Sequence, residues 1–275
     1  MQVVKSTLRL GAKEPFTILH ATDTHILRTA EGERESRKKL ANHRRQEFPH
    51  SEENLKFILD YVKKSGRQLI HTGDLIDFIT PENLSAAKAL ANETGMLFIA
   101  GNHEMHTCPN DIFCDSDFAD DLAQREITLD TVNSYFPNDI NYFCKEINGI
   151  KLIGINNCDY QVKSEHLERL KSEVQDGLPI ILFCHIPLYS EELCRLRGDC
   201  MLATPDEIVL SYSPFRIFEQ RANDTTREFF SCVKDEPSIK CVVSGHVHFN
   251  FESSDNAPIK QIVTGLDTLR EIVIE

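Results

Sequence analysis

Five short apolar runs in this chain each end directly in a residue type that can bind a metal or move a proton. Phe16–Ala21 is followed by Thr22-Asp23-Thr24-His25, and the run ending at Thr72 by Gly73-Asp74-Leu75-Ile76-Asp77. Met96–Ala100 leads into Gly101-Asn102-His103-Glu104, the run ending at Cys184 into His185, and the run ending at Ser244 into Gly245-His246-Val247-His248. Singly these are ordinary: Gly-Asp is turn chemistry, and one histidine after a strand is usually buried and hydrogen-bonded. As a set they share one topological position, and in open α/β sheets ligands bind at the C-terminal ends of strands. Imidazoles, an amide oxygen and few carboxylates suit divalent transition ions. Two such ions, typically about 3.5–4 Å apart, can hold both the attacking and the leaving oxygen of a displacement. That arrangement needs a central bridging carboxylate, and neutral histidines leave net positive charge to meet a phosphate.

These residues depend on strands and helices that the pattern also predicts. Phe16–Ala21, Gln68–Thr72, Met96–Ala100, Pro179–Cys184 and Lys240–Ser244 read as strands. Leu55, Ile58, Leu59 and Val62 have helical spacing, with Ser51 as the expected cap and Gly66 as the end. Thr80-Pro81 opens a helix through about Asn92. Asn141–Ile147 and Ile150–Ile155 flank Asn148-Gly149, a hairpin signal. Ser164–Val174 is a further helix, and two or three strands follow residue 244. The economical reading is one α/β domain over residues 1–275, with excursions at about 26–50, 105–140 and 188–238 that form a lid over the site.

Of the 275 residues, 43 are acidic and 30 basic, a formal charge of −13. Such a chain repels polyanions, which disfavours nucleic acid and anionic membranes as partners. No apolar run reaches the roughly 18 residues that span a bilayer, and residues 1–16 show no secretory pattern. The expectation is a cytoplasmic protein away from membranes, its nine scattered cysteines mostly reduced and buried. Cys108/Cys114 and Cys194/Cys200 repeat one gap, but not a usual zinc spacing.

The order Asp-x-His, Gly-Asp, Gly-Asn-His-Glu, His, Gly-His-x-His, spanning residues 23–248, resembles the calcineurin-like metallophosphoesterase superfamily. The resemblance implies a β-sandwich flanked by helices, four layers α/β/β/α, with a dinuclear metal site at strand C-terminal ends. It implies that Asp23, His25 and His248 hold one ion, that Asp74 bridges both, and that Asn102, His185 and His246 complete the second. A hydroxide between the metals would then attack phosphorus, His103 would protonate the leaving oxygen as general acid, and Asp77 would orient His103. The ligand types accept Mn, Fe, Zn, Co or Ni, with manganese favoured. Purple acid phosphatases carry Gly-Asp-x-x-Tyr and a first motif ending in Gly, where this chain has Asp77 and His25, so a tyrosinate-bound ferric ion is disfavoured. Protein phosphatases of the superfamily continue with Arg-Gly where Phe78-Ile79 stand here, so that class is disfavoured too. The remaining resemblance is to the bacterial-type phosphohydrolase and phosphodiesterase branch.

Substrate signals are sparser. Residues 28–45 hold seven basic residues among several acids, which reads either as a solvated helix or as a lid offering Arg44 and Arg45 to a phosphate. On the lid reading, Arg44→Ala plus Arg45→Ala raises KM by about tenfold or more. His106 is a further candidate contact. Asp111, Asp115, Asp117, Asp120, Asp121 and Glu126 make residues 109–130 acidic, which disfavours a nuclease. Tyr189, Tyr212, Phe215 and Phe218 pack a core or stack on a base. The leading expectation is a metal-dependent hydrolase of a small phosphodiester or phosphomonoester. Its rivals are a non-catalytic interaction subunit on the same fold, a nuclease, or a protein phosphatase. Oligomeric state stays open.

Overall fold

A computed structural model describes residues 1–105, 122–197 and 222–275. His106, the acidic run from Asp111 to Asp121, Tyr212, Phe215, Phe218, Cys108, Cys114 and Cys200 lie outside the described residues. The first sheet contains β1 (Gln2–Leu8), β2 (Phe16–Ala21), β3 (Leu69–His71), β4 (Leu97–Phe98) and the last strand, β11 (Thr268–Ile274). The second contains β5 (Tyr142–Ile147), β6 (Ile150–Ile155), β7 (Ile180–Phe183), β8 (Ile239–Ser244), β9 (Phe251–Glu252) and β10 (Lys260–Val263). Their orders are β1-β11-β2-β3-β4 and β5-β6-β7-β8-β10-β9. β2, β3 and β4 run parallel, as do β6, β7 and β8, so the ends that carry the predicted site residues point the same way within each sheet.

Strand alternation builds the layers. In β7, Ile181 and Phe183 face the other sheet, where they meet Ile18, Ile70 and Ile272. Ile180 and Leu182 face outward, with Leu167, Leu170, Phe229 and Val233. Those four belong to α5 (Ser164–Glu173) and α7 (Asp224–Asp235). On the far side, Leu19 and Leu69 pack with Ile58, Val62, Leu84 and Leu90 of α2 (Ser51–Ser65) and α3 (Pro81–Thr94). The result is helices, two mixed sheets and helices again, the four layers expected.

Helix α1 (Glu35–Glu47) fills part of the first excursion, α4 (Leu122–Asn133) and α6 (Glu191–Arg197) parts of the others. One element went unread and one local expectation needs correction. β1 is a strand that no residue pattern announced, and it pairs along its whole length with β11. Ser51 is not a cap: it is the first residue of α2, and its hydroxyl donates 2.6 Å to the His25 carbonyl. By contrast, Thr80 caps α3 as read, accepting from the Asn83 N–H. Cys144, Cys158, Cys184, Cys232 and Cys241 carry free thiols. Among the described residues, no helix is long and apolar enough to cross a membrane.

Candidate metal centre

The backbone around the predicted ligands is held where L-residues rarely go. Asp23, His25, Asp74, His246 and His248 all have positive φ, between 49° and 68°. They are five of the eight non-glycine residues with positive φ among the described ones. Each such residue costs roughly 1–2 kcal/mol, so the surrounding structure must impose it. The Asp23 N–H bonds the Gly73 carbonyl at 3.0 Å, and the His25 N–H bonds that of Asp74 at 2.9 Å. The His246 N–H bonds Asp23 Oδ2 at 2.9 Å. Close approach also selects two glycines. A Cβ at Gly101 would collide with Asp74, and one at Gly245 with Thr22 and Asp23.

Glu104, which the sequence showed only as the tail of a motif, is the central fastener. Its buried carboxylate accepts the N–H groups of Asp74, Leu75, Ile76 and Gly101 at 2.7–3.2 Å. Burial and the Asp74 charge push it up to about 7, against the pull of those amides.

Two groups of side chains converge on one oxygen. Asp74 Oδ2 lies 3.9 Å from His25 Nε2 and 3.3 Å from His185 Nε2. On one side Asp23, His25, Asp74 and His248 cluster; on the other, Asp74, His185 and His246. Asp23 Oδ1 is 4.0 Å from His25 Nε2 and 3.4 Å from His248 Nε2. Asn102 Oδ1 reaches both His185 Nε2 and His246 Nδ1 at 3.0 Å, joining the second group. The seven ligands of the sequence reading therefore meet around Asp74.

The donor set fits divalent cations. His25 Nδ1 meets the Asp77 carboxylate at 2.9 Å, so Nδ1 carries the proton and Nε2 turns a lone pair inward. His25 Nε2 and Asp23 Oδ1 are buried and make no hydrogen bond. Acceptors aimed at one another without a donor need positive charge between them. His185 makes the same point. Burial lowers its basicity, but the charges of Asp74 and Asp23 and the Thr72 carbonyl overcome this and raise it to about 9. The cluster thus draws a proton to where a cation would compete with it.

Asp77 faces His103 with its main chain and its side chain together. His103 Nδ1 bonds the Asp77 main-chain carbonyl at 2.7 Å, and the carboxylate oxygen is more distant at 3.3 Å. The carboxylate bonds His25 and Arg44, whose Nε and Nη2 reach its two oxygens at 2.9 and 2.8 Å. Burial opposes the charge, but His103, His25 and Arg44 hold this carboxyl well below its usual range. Arg45 donates to the Leu27 carbonyl and to Asn42.

His20 and His71 are buried as read from their apolar surroundings, each bonded to threonine hydroxyls. Burial drives His71 down to about 3, so it is neutral in the fold at pH values where the unfolded chain protonates it. Below about pH 6.5 the unfolded state therefore binds more protons. This contribution is complete above that pH and is lost as pH falls toward 3, on the order of 4–5 kcal/mol in full. In metal-free protein, His71→Gln is expected to flatten the fall in urea midpoint between pH 6.5 and 4. An unchanged slope would contradict the assignment.

The sequence profile described as calcineurin-like phosphoesterase matches residues 16–250. No curated protein matches the chain by sequence. Among solved structures, a dimetal phosphatase from Danio rerio shares 12% identity over 91% of this chain and 87% of that chain, with a TM-score of 0.51. A purple acid phosphatase from yellow lupin (Lupinus luteus) seeds shares 14% over 94% and 44%, at 0.48. A 5′-nucleotidase from Candida albicans shares 15% over 90% and 45%, at 0.41. At its identity, the likeness to the Danio rerio phosphatase is one of fold alone. The chain spans less than half of the latter two.

Proposed function

The chain belongs to the calcineurin-like phosphoesterase family, and from that membership we propose that it is a metal-dependent hydrolase of a small phosphomonoester or phosphodiester. The observation that carries this reading is the sharing of Asp74 between two groups of inward-facing acceptors. Asp23, His25, Asp74 and His248 would hold one divalent ion; Asp74, Asn102, His185 and His246 would hold the other. Bound there, the pair would supply Lewis-acid charge and acidify water.

The chain's own residues supply the rest. His25, His185 and Asp74 are at most 2% exposed, whereas the His103 side chain is 15% exposed, at the mouth of the cluster. Its Nδ1–H is committed to the Asp77 carbonyl, so Nε2 is the atom that delivers a proton to the leaving oxygen. Nε2 lies 4.0 Å from Asp74 Oδ2, close enough to face a phosphoester held at the cluster. Phe48 stacks on His25, ring centroids 3.8 Å apart, and covers one face of that imidazole. The formal charge of −13 supports a small substrate over a polymer of phosphates.

The test strips the protein with chelator, refills it with Mn²⁺ and compares bis-p-nitrophenyl phosphate with p-nitrophenyl phosphate. Metal-dependent turnover of either ester is expected. Faster diester turnover identifies a phosphodiesterase, and faster monoester turnover a phosphatase. Failure to hydrolyse both would count against the proposal.

A further inference from the structure

The side chain of Asp77 is only 2% exposed, so its charge needs a partner inside the protein. Arg44, at 18% exposure, provides it through a two-pronged fork onto both carboxylate oxygens. A third nitrogen of the same guanidinium bonds Glu47. The guanidinium also lies 4.7 Å over the ring of Phe48, and that ring stacks on His25 with an interplanar angle of 15°. The His25 imidazole is therefore gripped at Nδ1 by Asp77 and on one face by Phe48, and Arg44 braces both.

Helix α1 delivers these contacts without much apolar surface of its own. Leu40 and Ala41 are the apolar residues it adds to a small cluster with Leu27, Phe48 and Phe78. Polar ties do the rest: Arg37 donates to the Ile79 carbonyl at 2.8 Å and Arg45 to the Leu27 carbonyl at 2.7 Å. Both carbonyls lie just beyond the loops that carry His25 and Asp77. The first excursion is thus pinned across the two loops that present one half of the cluster.

We infer that Arg44 is a positioning residue for His25, acting through Asp77 and Phe48, and not a phosphate contact. The inference rests on the proposal that His25 holds a metal. Partners that orient a ligating histidine typically change metal affinity by about 10–100-fold. A phosphate-binding arginine would act instead on KM, leaving metal affinity alone.

The experiment titrates Mn²⁺ into chelator-stripped protein by calorimetry and measures kcat and KM on both nitrophenyl esters. It uses wild type, Arg44→Met, Arg44→Lys and Arg28→Met, the last removing a nearby charge paired on the surface with Glu52. For Arg44→Met, one of the Mn²⁺ sites is expected to weaken about 10–100-fold, with kcat falling and KM within about twofold of wild type. Arg44→Lys keeps the charge but loses the fork, so it should fall between the two. Arg28→Met should bind and turn over like wild type. A KM about tenfold higher with Mn²⁺ binding intact would overturn the inference in favour of a phosphate contact. Wild-type binding and kcat in Arg44→Met would overturn it outright; if that variant does not fold, the same result in Arg44→Lys does so. Wild-type protein that binds no Mn²⁺ overturns the metal proposal, and the inference with it.

Discussion

Asp74→Asn is expected to lower metal-dependent kcat by about 10³-fold or more, beyond the 10–100-fold typical of partners outside the metal's own ligands. The substitution changes almost no volume. Asp74 Oδ1 accepts the His103 N–H at 2.9 Å, and an amide oxygen can keep that bond. What disappears is the charge on Oδ2, the one oxygen that faces both groups of ligands. Burial opposes that charge, but His185, His103 and His25 hold the carboxyl well below its ordinary range. An asparagine NH₂ at Oδ2 would point a donor where a cation should sit, weakening both sites together. Steady-state kinetics at saturating Mn²⁺, alongside circular dichroism to show an intact fold, measures the effect. A kcat within tenfold of wild type would contradict a bridging role.

His103→Gln is expected to separate substrates by their leaving groups. For an alkyl phosphoester, whose departing oxygen needs a proton, kcat should fall about 10²–10⁴-fold. For a p-nitrophenyl ester, whose phenolate leaves unaided, the loss should stay within about tenfold. The geometry behind this is the Nδ1–H bond to the Asp77 carbonyl, which leaves Nε2 facing the cluster. Glutamine retains a polar end of similar reach but cannot cycle a proton. Equal losses on the two esters would assign His103 to positioning or charge rather than to acid catalysis.

Much of this candidate site is legible in the sequence because its signals are local. A strand that must stop and turn writes its end into a few residues, so the candidate ligands after β2, β3, β4, β7 and β8 stand next to runs visible as strands. The Asn148-Gly149 hairpin and the Thr80 cap were readable for the same reason. What stayed hidden depends on partners far along the chain. β1 is an edge strand with weak alternation, and its pairing partner lies more than 250 residues away. Arg44 read as a cation near the site, which suggested a phosphate; no pattern shows that a buried carboxylate 33 residues on already holds it. Asp77 sat in the right motif, but which imidazole takes its carboxylate and which its carbonyl is decided by side-chain packing. Glu104 could have been suspected, since an acid directly after a site histidine and inside a sharp turn has backbone N–H groups within reach.

The most direct measurement is a metal count. Chelator-stripped protein is titrated with Mn²⁺ by calorimetry, and the dialysed complex is analysed for bound metal. The shared site should take up about two ions per chain, with a marked loss in Asp74→Asn, because one carboxylate serves both groups. No stoichiometric binding, or binding that Asp74→Asn leaves unchanged, would contradict it.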